Sequence, residues 1–270
     1  MARPRARAAA LAARPLPAGG RRVSEARAVL VTGGGRGIGR AIALRFAEAG
    51  ARVFVNFFIN REAAEKTARD VELRGGQAHL VQADLKEPAD IRRMLAEVGH
   101  AAGRLDVLVS NAASGVLRDG LELSAKQWDW VLATNARPLL LCAQEAAKLM
   151  APGGRIVALS SLGSQRVIPG YTAIGVSKAA LEALARYLAV ELGARGITVN
   201  AVAAGAVETD VWRMLPDGAA ALAAIRARTP GGALVSAEAV ADVVFFLASP
   251  AAQSIQGQVL VVDGGYSLLA

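Results

Sequence analysis

Ala28-Val29-Leu30-Val31-Thr32-Gly33-Gly34-Gly35-Arg36-Gly37-Ile38-Gly39 passes from an apolar, β-branched run through a cluster of glycines into an amphipathic segment. A glycine-rich string alone is weak evidence. A strand before it and a helix after it give the setting in which such a string cradles a dinucleotide. Gly33 permits the tight turn, and Gly37 and Gly39 let backbone approach phosphate and strand. The helix that opens at Ile38 then turns its free N–H groups toward a pyrophosphate. This stretch predicts the first strand–turn–helix unit of a nucleotide-binding sheet.

Outward from it, short β-branched runs alternate with longer amphipathic segments. Strands are predicted at Ala28–Thr32, Arg52–Asn56, Ala78–Ala83, Leu105–Ser110, Arg155–Leu159, Thr198–Val202 and Gln258–Val262. Helices are predicted at Ile38–Ala49, Arg61–Arg74, Pro88–His100, Ala125–Met150, Thr172–Ala194 and Ala237–Ala248. This alternation predicts an α/β fold, a doubly wound parallel sheet of seven strands with helices on both faces. Neither a repeat nor a second domain is visible, so residues 28–270 read as a single domain. The rhythm breaks at 205–235, which holds Gly205, Pro216, Gly218, Pro230, Gly231 and Gly232 and a helical piece around Ala219–Arg228. A segment this long between strand and helix is read as a lid over the substrate.

Composition narrows the class. The 270 residues are 53% apolar, enough to bury a full core, with no run long enough to span a bilayer. The single cysteine, Cys142, excludes an intrachain disulfide framework and fits a reducing, cytoplasmic setting. It lies in an apolar helical stretch and reads as core filler rather than a nucleophile. The net charge of +8 is mostly local, since residues 1–27 hold seven arginines against Glu25. The body is nearly balanced, which argues against nucleic acid as its partner. The Ala/Arg-rich tail is read as a disordered extension or an over-long start. A targeting peptide or a segment for an acidic partner stays open.

Two features choose the dinucleotide. An acid closing the second strand would accept hydrogen bonds from a ribose 2′-hydroxyl and repel a 2′-phosphate. Here the predicted strand ends in neutral Asn56, Arg36 sits inside the glycine loop, and Arg61 follows nearby. A cation there pairs with a 2′-phosphate, so NADPH is expected rather than NADH.

The glycine loop and several further strings resemble the short-chain dehydrogenase/reductase superfamily, whose fold is of the Rossmann type. Asn111-Ala112-Ala113-Ser114-Gly115-Val116-Leu117-Arg118, Trp128-Asp129-Trp130 and Ser160-Ser161-Leu162-Gly163-Ser164 are similar to one branch of it, the type III enoyl-acyl-carrier-protein reductases. Gly175-Val176-Ser177-Lys178-Ala179-Ala180-Leu181-Glu182-Ala183-Leu184 and Val262-Asp263-Gly264-Gly265-Tyr266 extend the likeness, which covers roughly residues 28–270. The resemblance implies roles. Asp84 and Leu85 contact the adenine ring, and Asn111 lies beside the cofactor. Ser161 assists the substrate carbonyl, Asn135 holds a proton-relay water, Lys178 binds the nicotinamide ribose, and Thr209 contacts the carboxamide. Ala113 stands where the superfamily usually has glycine. No metal is implied.

Most members of the superfamily carry Tyr-x3-Lys, but here the residue four before Lys178 is Ile174, which has no proton to give. The nearby phenol is Tyr171, one helical turn earlier. Positions i and i+7 differ by about 20° in azimuth, so Tyr171 and Lys178 both face the cofactor. Tyr171 lies about 4.5 Å further along the axis than the usual tyrosine. In a ketone, hydride lands on the carbon bearing the oxygen. In a 2-enoyl thioester it lands two carbons away, so the oxygen that needs a donor is displaced by roughly two bond lengths. A donor moved by one turn matches that need, and an ammonium near the phenol is expected to lower its pKa. The expected activity is therefore NADPH-dependent reduction of a trans-2-enoyl thioester, with acyl carrier protein as the implied carrier and a homotetramer as the implied assembly. The alternative is a 3-ketoacyl thioester reductase or another carbonyl reductase or alcohol dehydrogenase of the same fold.

Overall fold

The computed structural model describes residues 26–208 and 217–269. Strands β1 (Ala28–Val31), β2 (Arg52–Phe57), β3 (Gln77–Gln82), β4 (Val107–Ser110), β5 (Arg155–Ser161), β6 (Thr198–Ala204) and β7 (Val259–Val262) form one seven-stranded sheet in the order β3-β2-β1-β4-β5-β6-β7. All neighbours pair in parallel. The helices are α1 (Gly37–Ala47), α2 (Arg61–Leu73), α3 (Pro88–Ala102), α4 (Ala125–Asn135), α5 (Arg137–Leu149), α6 (Thr172–Gly193), α7 (Gly218–Arg228) and α8 (Ala237–Leu247).

The central strands β1 and β4 are almost wholly apolar and buried because both faces of a parallel sheet are covered, while the edge strand β3 carries Gln77, His79 and Gln82. Successive residues alternate sides. Leu30, Phe54, Leu108 and Ile156 join Ile91 and Met94 of α3, Leu139 and Cys142 of α5, and Leu181 of α6. Val29, Val31, Val53, Val55 and Val107 join Ile42 and Phe46 of α1, Val71 of α2, and Val240 and Val244 of α8. A fully buried side chain such as Phe54 contributes roughly 1.5–3 kcal/mol through area removed from water. Phe54→Ala, which also leaves a cavity, would cost about 3–5 kcal/mol.

Strand order reverses at β1, whose neighbours are β2 on one side and β4 on the other. The carboxyl ends of β1 and β4 therefore flank the crevice where ligands bind in such sheets. The predicted strands all form, with ends shifted by one or two residues. The single helix predicted over Ala125–Met150 does not form: it breaks between Asn135 and Arg137. Pro138 is the cause, because it has no N–H and its ring clashes with the carbonyl four residues back. That break ends α4 at Asn135 and lets α5 restart in a new direction.

At the chain's other irregular places, Arg27, counted with the tail, packs on the body: its Nη2 donates to the Ala248 carbonyl at 2.7 Å. Residues 1–25 lie outside the described residues. Within the predicted lid, Val207 bridges Val235 and α7 forms. Residues 209–216 lie outside the described residues, and with them Thr209, Val211, Trp212, Met214 and Leu215. No helix among the described residues is long and apolar enough to cross a membrane.

Candidate active site

The glycine loop is fixed from below by polar side chains. Asn111 Nδ2 donates to the Thr32 carbonyl at 2.8 Å and to the Gly33 carbonyl at 3.2 Å. Thr32 Oγ1 accepts from the Asn111 and Ala112 amides at 2.9 and 3.1 Å. Gly39 sits so close that a Cβ there would lie 2.3 Å from the Gly33 carbonyl oxygen. Gly33 and Gly37 hold φ of 61° and 54°, a region that favours glycine. Arg36 caps α1 in extended backbone with no side-chain acceptor. The first-turn amides, including Ile38, thus lack an intrahelical or capping partner and form an anion cradle. The cradle fits a dinucleotide pyrophosphate.

Asn56 does not end β2 as the sequence predicts, and it turns inward. It is one residue short of that end and buried. Its Oδ1 accepts from the Gly33 amide at 3.2 Å, and its Nδ2 donates to the Val81 carbonyl at 3.3 Å. It holds the loop rather than facing outward. Arg36 is exposed and has no ion pair among the described residues. A Cβ on Gly35 would stand 3.3 Å from the Ala64 amide nitrogen, so Arg36 is set beside the first turn of α2. There Asn60 caps the helix and Arg61 lies over the Phe57 ring at 5.1 Å. Two arginines and a helix N-terminus share this corner. At the next strand end, Asp84 pairs with Lys86 Nζ at 3.2 Å and Leu85 is buried.

The crevice continues to the ends of β4 and β5. Ser161 closes β5, its hydroxyl accepts from the Gly163 amide at 3.3 Å, and it neighbours the Tyr171 phenol. Tyr171 caps α6, just after Gly170 and its φ of 69°. The Arg118 amide donates to the Gly170 carbonyl at 2.6 Å, tying the loop after β4 to this cap. One turn on, Ile174 takes the place of a phenol and fills a volume emptied by Gly115, where a Cβ would meet its Cγ1 at 2.3 Å. Gly163 does the same for Tyr171, since a Cβ there would be 2.6 Å from the ring.

Lys178 is buried on the inner face of α6, and its Nζ donates to the Leu159 carbonyl at 2.7 Å. Burial pushes its pKa down to about 8, against the opposing pull of Glu182 one turn further along. The Tyr171 pKa is raised by burial, with the nearby Ser161 hydroxyl acting the other way. The expected lowering by Lys178 is not found: burial of the phenol dominates, and the ammonium donates to the Leu159 carbonyl. Asn135 is buried at the end of α4, where its Oδ1 accepts from the Ser114 amide at 2.9 Å and its Nδ2 donates to Ser177 Oγ at 3.0 Å. Its amide braces the loop after β4 against α6.

The structure thus brings Ser161, Tyr171, Lys178 and Asn135 together around the N-terminal turns of α6. Gly115, Gly163, Ser164 and Glu182 join them and were not singled out by pattern reading. For Glu182 a signal existed: a carboxylate four residues after a lysine, on a helix face otherwise made of Leu181, Ala185 and Leu188. Cys142 is buried, and its thiol is pushed up to about 12. Among the described residues no cluster of His, Cys, Asp or Glu is placed to hold a metal ion.

Residues 33–267 match the family model described as enoyl-(acyl carrier protein) reductase. The chain is 43% identical over 247 residues to 1-cyclohexenylcarbonyl-CoA reductase of Streptomyces collinus, covering 89% of this chain and 87% of that protein. It is 35% identical over 264 residues to versicolorin reductase 1 of Aspergillus parasiticus, covering 89% and 96%. Among solved structures it superposes on a short-chain dehydrogenase from Burkholderia cenocepacia in complex with NADP. That match has a TM-score of 0.84 and 38% identity, over 89% of this chain and 98% of that one.

Proposed function

The chain belongs to the short-chain dehydrogenase/reductase superfamily, and from that membership we propose that it is an NADPH-dependent reductase of the carbon–carbon double bond of a 2-enoyl thioester. The observation that carries this reading is the displaced phenol. Tyr171 stands at the cap of α6 while Ile174, packed on Gly115, occupies the place one turn nearer Lys178. The relative at 43% identity, named for reduction of an unsaturated ring thioester, supports the same bond class.

The α1 amides and Gly33, Gly37 and Gly39 would hold the pyrophosphate. Arg36, with Arg61 and the α2 N-terminus, would hold a 2′-phosphate, as the NADP-bound neighbour also suggests. Lys178 would hold the nicotinamide ribose. When bound, the nicotinamide supplies hydride for the β-carbon.

The chain's own residues manage the charge that follows. The Tyr171 hydroxyl donates to the thioester carbonyl oxygen and stabilises negative charge there as it develops. Its raised pKa keeps the phenol protonated and ready to donate. Packing on Gly163 sets the phenol, and Ser161 beside it would assist the same oxygen. The α-carbon takes its proton from water admitted beside Lys178 and the end of α4 at Asn135. Burial around Lys178 excludes bulk water and strengthens each of these interactions.

Acyl carrier protein is the carrier we favour for fatty-acid synthesis, with coenzyme A as the comparison. We assign a cytoplasmic homotetramer to it, and the exposed Tyr187 and Val190 of α6 suit a subunit contact. The test follows 340 nm absorbance with NADPH and crotonyl or acetoacetyl thioesters, each on both carriers. Oxidation with the enoyl substrate alone supports the reading. Oxidation with the ketoacyl substrate alone assigns the carbonyl alternative.

A further inference from the structure

Glu182 lies one turn beyond Lys178 on the inner face of α6 and is almost fully buried. A carboxylate taken out of water needs partners, and this one has them. Its Oε1 accepts from Ser160 Oγ at 2.5 Å and from Ser164 Oγ at 2.6 Å, and its Oε2 lies 3.5 Å from Gln165 Nε2. These donors lie at the carboxyl end of β5 and in the turn that follows it. That segment also carries Ser161, which neighbours the Tyr171 phenol, and Gly163, against which the Tyr171 ring is packed. Ser164 Oγ reaches the Ser161 carbonyl as well, at 2.8 Å.

We propose that Glu182 is a positioning residue for the reaction: its carboxylate clamps the Ser160–Gln165 segment under Tyr171 and is the counter-charge for Lys178. The inference rests on the reading of Tyr171 and Lys178 as the reacting pair. One side chain thereby governs both, the phenol through hydrogen bonds and the ammonium through its field.

The electrostatic half is specific to Glu182. Helix α6 packs against β5, β6, the turn Leu162–Ser164, α4 and α5. The titratable groups on these are Arg155, Lys126, Asp129, Arg137, Cys142, Glu145 and Lys148, and on α6 itself Tyr171, Arg186, Tyr187 and Glu191. Of all these, none acts on Lys178; Glu182 does, and it raises the lysine's proton affinity against burial. An opposite charge one turn along the same helix, out of bulk water, favours the charged form.

The experiment is Glu182→Gln, which keeps an acceptor for the serines and removes the charge. The chain has five lysines, so the Cε signal of Lys178 in 13C-lysine-labelled protein is assigned by its loss in Lys178→Met. The titration is read without cofactor or substrate. The Lys178 midpoint in Glu182→Gln is expected to fall by about one unit or more. The alkaline limb of kcat should move down with it. An unmoved midpoint and unmoved pH profile, with only thermal stability reduced, would overturn the proposal and leave a structural carboxylate.

Ser164→Ala is the second variant and carries the clamp if Glu182→Gln does not fold. Turnover is expected to fall about fivefold or more with NADPH Kd unchanged, because the phenol is misplaced by a fraction of an ångström. Unchanged turnover would overturn the clamp. The lysine titration holds whether the substrate is an enoyl or a ketoacyl thioester, so its failure is distinct from failure of the functional reading.

Discussion

One edge of the Tyr171 ring is packed against Gly163, with no room between them: a Cβ on Gly163 would stand 2.6 Å from both Cδ1 and Cε1. The phenol's direction is thus set by the absence of a side chain two residues after Ser161. Gly163→Ala is expected to push the ring aside and lower kcat by about tenfold to a hundredfold. NADPH affinity should stay as it is, because the glycine loop is untouched. Stopped-flow turnover beside a fluorescence titration of NADPH separates the two. Wild-type kcat in the variant would show that the phenol tolerates displacement.

Tyr171→Phe removes the hydroxyl and keeps the ring on Gly163. Loss of one donor to a developing oxyanion lowers turnover by about 10²–10³-fold. The Kd for NADPH should be unaffected. If Tyr171→Phe turns over enoyl thioester at the parental rate, another group donates to the carbonyl and the reading of the helix cap is wrong.

Arg36 is the exposed cation of the glycine loop, with no ion pair among the described residues. Arg36→Ala is expected to raise the Kd for NADPH by roughly tenfold or more, as loss of a charge-assisted hydrogen bond does. NADH, which lacks the phosphate, should bind both forms equally. Equal losses for the two cofactors would place the 2′-phosphate elsewhere.

Cys142 gives a pH-dependent test of the core. Its buried thiol is pushed up to about 12 from an ordinary value of 9.0. The folded chain therefore keeps a proton that the unfolded chain gives up. This contribution to stability is fully present below pH 9 and is lost as pH rises toward 12, by at most about 1.4 kcal/mol per unit. Ellman's reagent at pH 8 should leave the native protein unlabelled and react once denaturant unfolds it. In denaturation curves the stability gap between wild type and Cys142→Ala should narrow above pH 9.

Much of this molecule is legible along the chain, for reasons of local chemistry. The central strands are apolar runs because both faces of the sheet are buried, and β1 with its glycines announces the nucleotide crevice. Lys178 lies on α6 and Tyr171 at its cap, so their spacing along the chain already points to one end of one helix. Pro138 was equally readable, yet the apolar pattern on either side of it hides the break after Asn135. The role of Asn56 depends on which way its side chain turns, and three backbone groups from two other segments settle that. Gly115 and Gly163 matter through what sits opposite them, 59 and 8 residues along the chain, and no periodicity encodes such a fit. Glu182 finds its donors 22 and 18 residues earlier, across a turn that sequence does not fold.

Ile174 packed on Gly115 has a consequence for ancestry. A phenol at 174 would have to grow where even a methyl on Gly115 is excluded, and Tyr171 would leave a hole beside Gly163. Each half of the exchange, taken alone, yields a damaged protein. For ancestry this means that positions 115, 163, 171 and 174 are coupled, and a substitution at one is expected to be tolerated best when its packing partner changes with it.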